Sequence, residues 1–199
     1  WVYEKAQQAK LADMIIVATD DERIFNAVEK FGGNVEMTST EHKCGSDRIK
    51  EVVMRHPEID YIVNLQGDEP LIKPESIDEV AKNVKFDETA DISTLIRKIT
   101  PEEAENPNLV KCIVDCNGFA MYFSRSKIPY ERNVGKADFF GHLGIYGYIK
   151  LFFLRFFRTR SLILSISSDA QFLLIKTERT FFSICSFNRS VVVIPYSQS

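Results

Sequence analysis

Apolar positions along the first 150 residues fall into blocks that alternate between helical and strand spacing, separated by turn and cap residues. The spacing predicts a helix over 2–10. The apolar run Met14-Ile15-Ile16-Val17-Ala18 predicts a strand buried on both faces. After the loop and cap Thr19-Asp20-Asp21, residues Ile24, Ala27, Val28 and Phe31 recur at helical spacing, and Gly32-Gly33 supplies the stop. A short strand over 35–37, a helix over 46–55 and a strand over 61–65 follow, and Pro74 marks the next helix start. Beyond it lie a strand over 92–96 and a capping box of Thr100 and Glu103 around Pro101. Strands over 110–114 and 120–123 are joined through Asn117-Gly118, a good hairpin pair. This alternation predicts a three-layer α/β domain with a mostly parallel sheet.

The pattern fails from Leu151 onward. The segment 151–199 holds eight of the fifteen phenylalanines and nine serines, but no glycine. Six basic residues against two acids leave it at +4, so the first 150 residues carry −7. The chain therefore divides, by composition, into a domain over 1–150 and an atypical basic Phe/Ser-rich tail over 151–199. Three readings of the tail stand: a basic interaction segment, a membrane-surface segment, or translation out of frame. No apolar run in it approaches the ~20 residues that span a bilayer, and its aromatic residues lack a polar face opposite them.

The whole chain has 199 residues, a net charge of −3 and 45% hydrophobic residues, which describes a globular protein rather than a disordered or membrane-spanning one. An acidic balance argues against a nucleic-acid partner, because such a partner needs a basic surface. Cys44, Cys112, Cys116 and Cys185 form no C-x2-C pair, so reduced thiols in a cytoplasm fit them best. The chain opens with Trp1 in an apparent helix, without the basic and then apolar run of a signal peptide, and the expectation is that a segment upstream is missing.

Chemistry concentrates in three places. Asn64-Leu65-Gln66-Gly67-Asp68-Glu69-Pro70 follows an apolar strand, the position where open α/β sheets bind ligands, and Asp68 is the candidate ligand for a magnesium ion shared with substrate phosphates. Spacing alone favours an ordinary polar turn there. Gly45-Ser46-Asp47-Arg48 heads a helix whose amides, with Arg48, suit a phosphate or a base edge; a Ser46-capped helix with a surface arginine is the plainer reading. Tyr122-Phe123-Ser124-Arg125-Ser126-Lys127 and His142-Leu143-Gly144-Ile145-Tyr146-Gly147-Tyr148 bring Arg125, Lys127, Arg132 and His142 as partners for an acidic sugar, although a histidine such as His142 is more often structural. No Ser-His-Asp or Cys-His set can be assembled by spacing.

Taken in order, these segments together with Trp1-Val2-Tyr3-Glu4, Ile16-Val17-Ala18-Thr19-Asp20 and Asn106-Pro107-Asn108-Leu109-Val110-Lys111 resemble the 3-deoxy-manno-octulosonate (Kdo) cytidylyltransferase family over about three quarters of the chain. The resemblance implies a Rossmann-like nucleotidyltransferase domain lacking its first strand and the phosphate-gripping loop that follows it. It implies a cytoplasmic, homodimeric enzyme with Mg2+ as cofactor, which transfers CMP from CTP to Kdo on the path to lipopolysaccharide. In this sequence Asp68 would bind magnesium. Gly45, Ser46, Arg48 and Gln66 would meet the nucleotide, and Gln66, Ser124, Arg125, His142 and Tyr146 the sugar. The resemblance stops at Tyr148, which favours an out-of-frame tail and implies impaired activity. The alternatives are a cytidylyltransferase for another acidic sugar, or a non-catalytic nucleotide- or partner-binding fragment.

Overall fold

The computed structural model describes residues 1–133, 135–163 and 190–196, with 157–163 and 190–196 described as backbone alone. Most of the predicted tail, 164–189 and 197–199, thus lies outside the described residues. The described chain forms two bodies, one of residues 1–93, 145–163 and 190–196 and one of residues 94–144.

The first body contains the helices α1 (Val2–Ala6), α2 (Glu22–Lys30), α3 (Gly45–Arg55), α4 (Pro74–Phe86) and α5 (Lys150–Ile163). Its strands are β1 (Met14–Thr19), β2 (Val35–Met37), β3 (Tyr61–Asn64), the first residues of β4 (Ile92–Ile99), the later part of β7 (Phe139–Ile149), and β8 (Ser190–Tyr196). Strand order is β2-β1-β8-β3-β7. The first four run parallel and β7 is antiparallel to β3. The expected parallel sheet is therefore present in this body.

Alternation along the strands sorts the helices. Ile16 and Ala18 of β1 and Ile62 of β3 share a buried cluster with Ile49, Val52 and Val53 of α3 and Phe153 of α5. Val17 and Val63, one residue away and also buried, turn to the other face. There α4 packs on β3 through its buried face of Ile77, Val80, Ala81 and Val84. Residue 147 of β7 must be glycine for this layer to close: a Cβ there would stand 2.8 Å from the Val80 carbonyl oxygen and 2.7 Å from Ser93 Oγ.

Local chemistry sets the ends of these elements. Asp21 caps α2, its Oδ1 accepting from the Arg23 amide at 2.8 Å. Gly32, at φ 77°, ends that helix in the left-handed conformation that glycine takes at little cost. Pro74 occupies the first turn of α4. The helix expected over 2–10 is shorter, ending at Ala6.

Composition and fold divide the chain differently. The basic Phe/Ser-rich segment begins at Leu151, yet Phe153 is fully buried and stacks edge-on against Tyr148 at 5.0 Å. Residues Ser190–Tyr196 form the strand between β1 and β3, with Ile16 opposite Val193 and Ile62 opposite Val191.

In the second body the pairings of β5 are antiparallel. It holds the rest of β4 and β7, β5 (Lys111–Val114) and β6 (Ala120–Ser124). Strand β5 pairs with both β6 and β7. The β5–β6 hairpin turns through residues 115–119, which include the expected Asn117-Gly118 pair: the Gly118 amide donates to the Asp115 carbonyl at 3.1 Å and Gly118 takes φ 85°, and so short a connection returns the chain antiparallel. The predicted capping box is present in reciprocal form: the Thr100 amide donates to Glu103 Oε2 at 2.9 Å and the Glu103 amide to Thr100 Oγ1 at 3.1 Å. It heads a short 3-10 turn, Glu103–Glu105, rather than a full helix.

Candidate functional site

Strands β1 and β3 run the same way, both parallel to β8, so their carboxyl ends at Thr19 and Asn64 open on one edge of the first body. Ligands of open α/β sheets bind outside such ends. Three features gather there: the Asp20-Asp21 turn after β1, the loop 65–73 after β3, and the start of α3.

Helix α3 begins at Gly45, with Cys44 as an N-cap that offers no side-chain hydrogen bond. Ser46 therefore sits within the first turn and is not the cap that the sequence suggested. First-turn amides have no partner inside a helix, and the half-buried Gly45-Ser46 turn presents such donors to an anion. Arg48, three residues past the start, is not a surface residue. Only 1% exposed, it sends Nη2 to Asp20 Oδ2 at 2.7 Å and Nη1 to Thr38 Oγ1. Thr38 in turn donates to the Thr19 carbonyl at 3.1 Å. The guanidinium thus braces the carboxyl end of β1 against α3, and among the described residues its Nε has no partner.

Gln66 and Asp68 are both exposed, on a loop turned by the Glu69 amide donating to the Gln66 carbonyl at 3.3 Å. Among the described residues no cluster of three or more acidic, histidine or cysteine side chains forms a closed metal cage. A single exposed carboxylate suits magnesium nonetheless, since that ion keeps several waters and takes one or two carboxylates alongside substrate phosphates. Asn64, at the head of the loop, is 7% exposed and its Oδ1 has no partner among the described residues. Tyr146 on β7 is its cross-strand neighbour. The Tyr146 ring stacks on Tyr148 at 6.1 Å, and burial raises its phenol above the usual range.

The other sugar-side candidates lie in the second body. Ser124 ends β6, its Oγ accepting from the Ser126 amide at 3.0 Å. Arg125 is exposed and donates from Nη1 to the Pro107 carbonyl at 3.1 Å. His142 is half-buried on β7, with its amide donating to the Val110 carbonyl at 2.8 Å and Nε2 at 2.9 Å from Thr94 Oγ1. Thr94 also donates to the Leu143 carbonyl at 3.2 Å. Burial holds the imidazole below its ordinary pKa, so His142 is neutral at pH 7. Phe123 meets its ring edge-on at 5.1 Å. Lys127, half-buried, pairs with Glu105 at 2.9 Å and stands over the Phe139 ring.

Of the predicted residues, Gly45, Ser46, Arg48, Gln66, Asp68 and Tyr146 belong to the first body, and Ser124, Arg125 and His142 to the second. Sequence reasoning passed over Asp20, Thr38 and Thr94, which hold Arg48 and His142 in place. Asp20 alone carried a signal, as the acid one residue past a buried strand.

The comparisons with known proteins agree in kind. The profile of the family described as cytidylyltransferase matches residues 1–162. The chain is 47% identical over 157 residues to 3-deoxy-manno-octulosonate cytidylyltransferase of Fusobacterium nucleatum, covering 78% of this chain and 64% of that protein. It is 49% identical over 158 residues to the same-named protein of Vibrio parahaemolyticus, covering 74% and 62%. Among solved structures, CMP:2-keto-3-deoxy-manno-octonic acid synthetase complexed with CTP superposes at a TM-score of 0.76 with 39% identity, over 79% of this chain and 65% of that one. The chain thus spans less than two thirds of the length of these relatives. Its match to the family profile takes in both bodies, and the superposition carries the nucleotidyltransferase fold: the chain belongs to the cytidylyltransferase family.

Proposed function

We propose that the chain transfers CMP from CTP to 3-deoxy-D-manno-octulosonate, releasing pyrophosphate. The observation that carries this reading is the 47–49% identity to proteins named for that activity, over more than 150 residues. The same fold in a complex with CTP supports the nucleotide half of the reaction.

Attack by the sugar's anomeric hydroxyl on the α-phosphorus asks for little covalent chemistry from the protein, so positioning and charge placement do most of the work. The amides of Gly45 and Ser46 hold an anionic part of the nucleotide, helped by the positive end of the α3 dipole. Arg48 keeps that helix start fixed against Asp20 and β1. Asp68 would hold Mg2+, which when bound offsets phosphate charge as the pyrophosphate leaves. Gln66, next to Asp68 on the same loop, orients the reacting groups. In the second body the exposed Arg125 offers its guanidinium fork to the sugar's carboxylate, Ser124 offers a hydroxyl, and His142 stays neutral and acts as a polar contact rather than a second cation.

The substrates are soluble small molecules, and we place the chain in the cytoplasm as a homodimer without nucleic-acid partners. Among the described residues no helix is long and apolar enough to cross a membrane.

The test is pyrophosphate release from CTP with magnesium and a panel of acidic sugars: Kdo, an amino derivative of Kdo, and an acylneuraminate. The proposal predicts release that depends on Kdo and yields CMP-Kdo. Release with another sugar in preference would assign the chain to a neighbouring specificity, and none from a folded chain would leave it a binding fragment.

A further inference from the structure

The second body contains a fully buried lysine that the reaction does not use. Lys111 opens β5 and is 0% exposed. Its ammonium has three donors and no acceptor, and three backbone carbonyls take them: Asn106 at 2.9 Å, Leu109 at 2.8 Å, and Arg125. Burial lowers its pKa, and the charge of Arg125 acts in the same sense while Glu105 opposes it. A buried charge is costly unless fully paired, and this one is met by neutral dipoles whose geometry it fixes.

What those carbonyls belong to gives the lysine a purpose beyond packing. Asn106 and Leu109 flank Pro107, whose own carbonyl receives Nη1 of Arg125 at 3.1 Å. Lys111 therefore holds both the main chain of Arg125 and the loop on which the Arg125 side chain rests. In the strand ladder it lies opposite Ser124 on one side and Gly141, the neighbour of His142, on the other. The three residues of this body assigned to the sugar converge on the backbone around one lysine.

We propose that Lys111 is a positioning residue for the sugar half of the site, clamping the 106–109 loop to residue 125 so that the Arg125 guanidinium is presented in one orientation to a carboxylate. The inference rests on the reading of Arg125 as the sugar-carboxylate contact. Fixing a long side chain before binding removes part of the ordering cost that ligand contact would otherwise bear, so losing the clamp acts on sugar affinity first.

Two measurements on the 199-residue chain test this. The first needs neither variant nor sugar: the heteronuclear NOE of the Arg125 Nε–H group should match that of the β6 amides, and values typical of a freely moving arginine would overturn the proposal. The second compares wild type with Lys111→Met, which keeps the length and removes the donors. Kdo binding, measured with CTP but without magnesium so that no turnover occurs, should weaken about tenfold or more, while CTP binding stays within about twofold. Equal weakening of both ligands would mark Lys111 as merely structural and overturn the proposal, as would unchanged Kdo binding. Should Lys111→Met not fold, the wild-type NOE decides. A wild-type chain with an ordered Arg125 that binds no Kdo would sink the sugar assignment and the role of Lys111 in sugar binding, while leaving the clamp itself intact.

Discussion

Arg48 and Asp20 lie 28 residues apart in sequence and 2.7 Å apart in the fold, with the arginine side chain 2% exposed and the aspartate 20%. A pair so placed ties the start of α3 to the end of β1, the two elements that frame the proposed nucleotide edge.

Breaking the pair from the arginine side leaves Asp20 and Thr38 without their donor in a largely buried setting. Removing one partner of a buried ion pair costs about 3–5 kcal/mol, and since Asp20 keeps some contact with water we expect about 3 kcal/mol for Arg48→Met. Urea unfolding of the two chains measures it. A change under about 1 kcal/mol would show that the brace contributes little.

The core role of Phe153 gives a second test. This residue is the third of the compositionally aberrant segment yet is fully buried beside Tyr148, Ile49 and Val52. Truncation of a buried aromatic leaves a cavity and costs about 3–5 kcal/mol. Phe153→Ala should lower the urea midpoint accordingly. A midpoint equal to wild type would mean that α5 is not part of the folded core.

Stability should also depend on pH through His56. Burial works to lower its pKa, but hydrogen bonds and charges from Glu36 and Glu58 outweigh it, and the net shift is upward from 6.5. The Glu58 carboxylate sits 2.9 Å from Nδ1, and Glu36 engages Nε2. A folded pKa above the unfolded one means that the folded state holds the proton more tightly. The stabilisation is complete below about pH 6.5 and is lost as pH rises through the folded value. His56→Gln should flatten the stability profile across that window; a wild-type profile already flat there would contradict the assignment.

Much of the first body was legible because its cues are local. Pro74 at a helix start, Asp21 as a cap, and an apolar run such as 14–18 act within a few residues. The Thr100–Glu103 box was equally legible in its bonds, although only a single 3-10 turn grew from it. Strand β7 was harder to see, because Gly141, Gly144 and Gly147 weaken the strand signal. Gly147 is there because Val80 and Ser93 leave no room for a Cβ, which is information held by other elements. Helix α5 was obscured by a composition that suggested a foreign tail. For the site, exposed residues such as Asp68, Gln66 and Arg125 could be read from motifs. The burial of Arg48 could not, since its partners Asp20 and Thr38 come from other segments, and Lys111 gave no sign of the three carbonyls it binds.

The proposed reaction requires the first body to hold a magnesium–CTP complex at the carboxyl ends of β1 and β3. Isothermal titration of the 199-residue chain with CTP and magnesium tests this most directly, alongside the Asp68→Asn variant. We expect saturable micromolar binding that Asp68→Asn weakens about tenfold, or roughly 1.4 kcal/mol. No binding by a folded wild-type chain, or equal affinity in the variant, would contradict it.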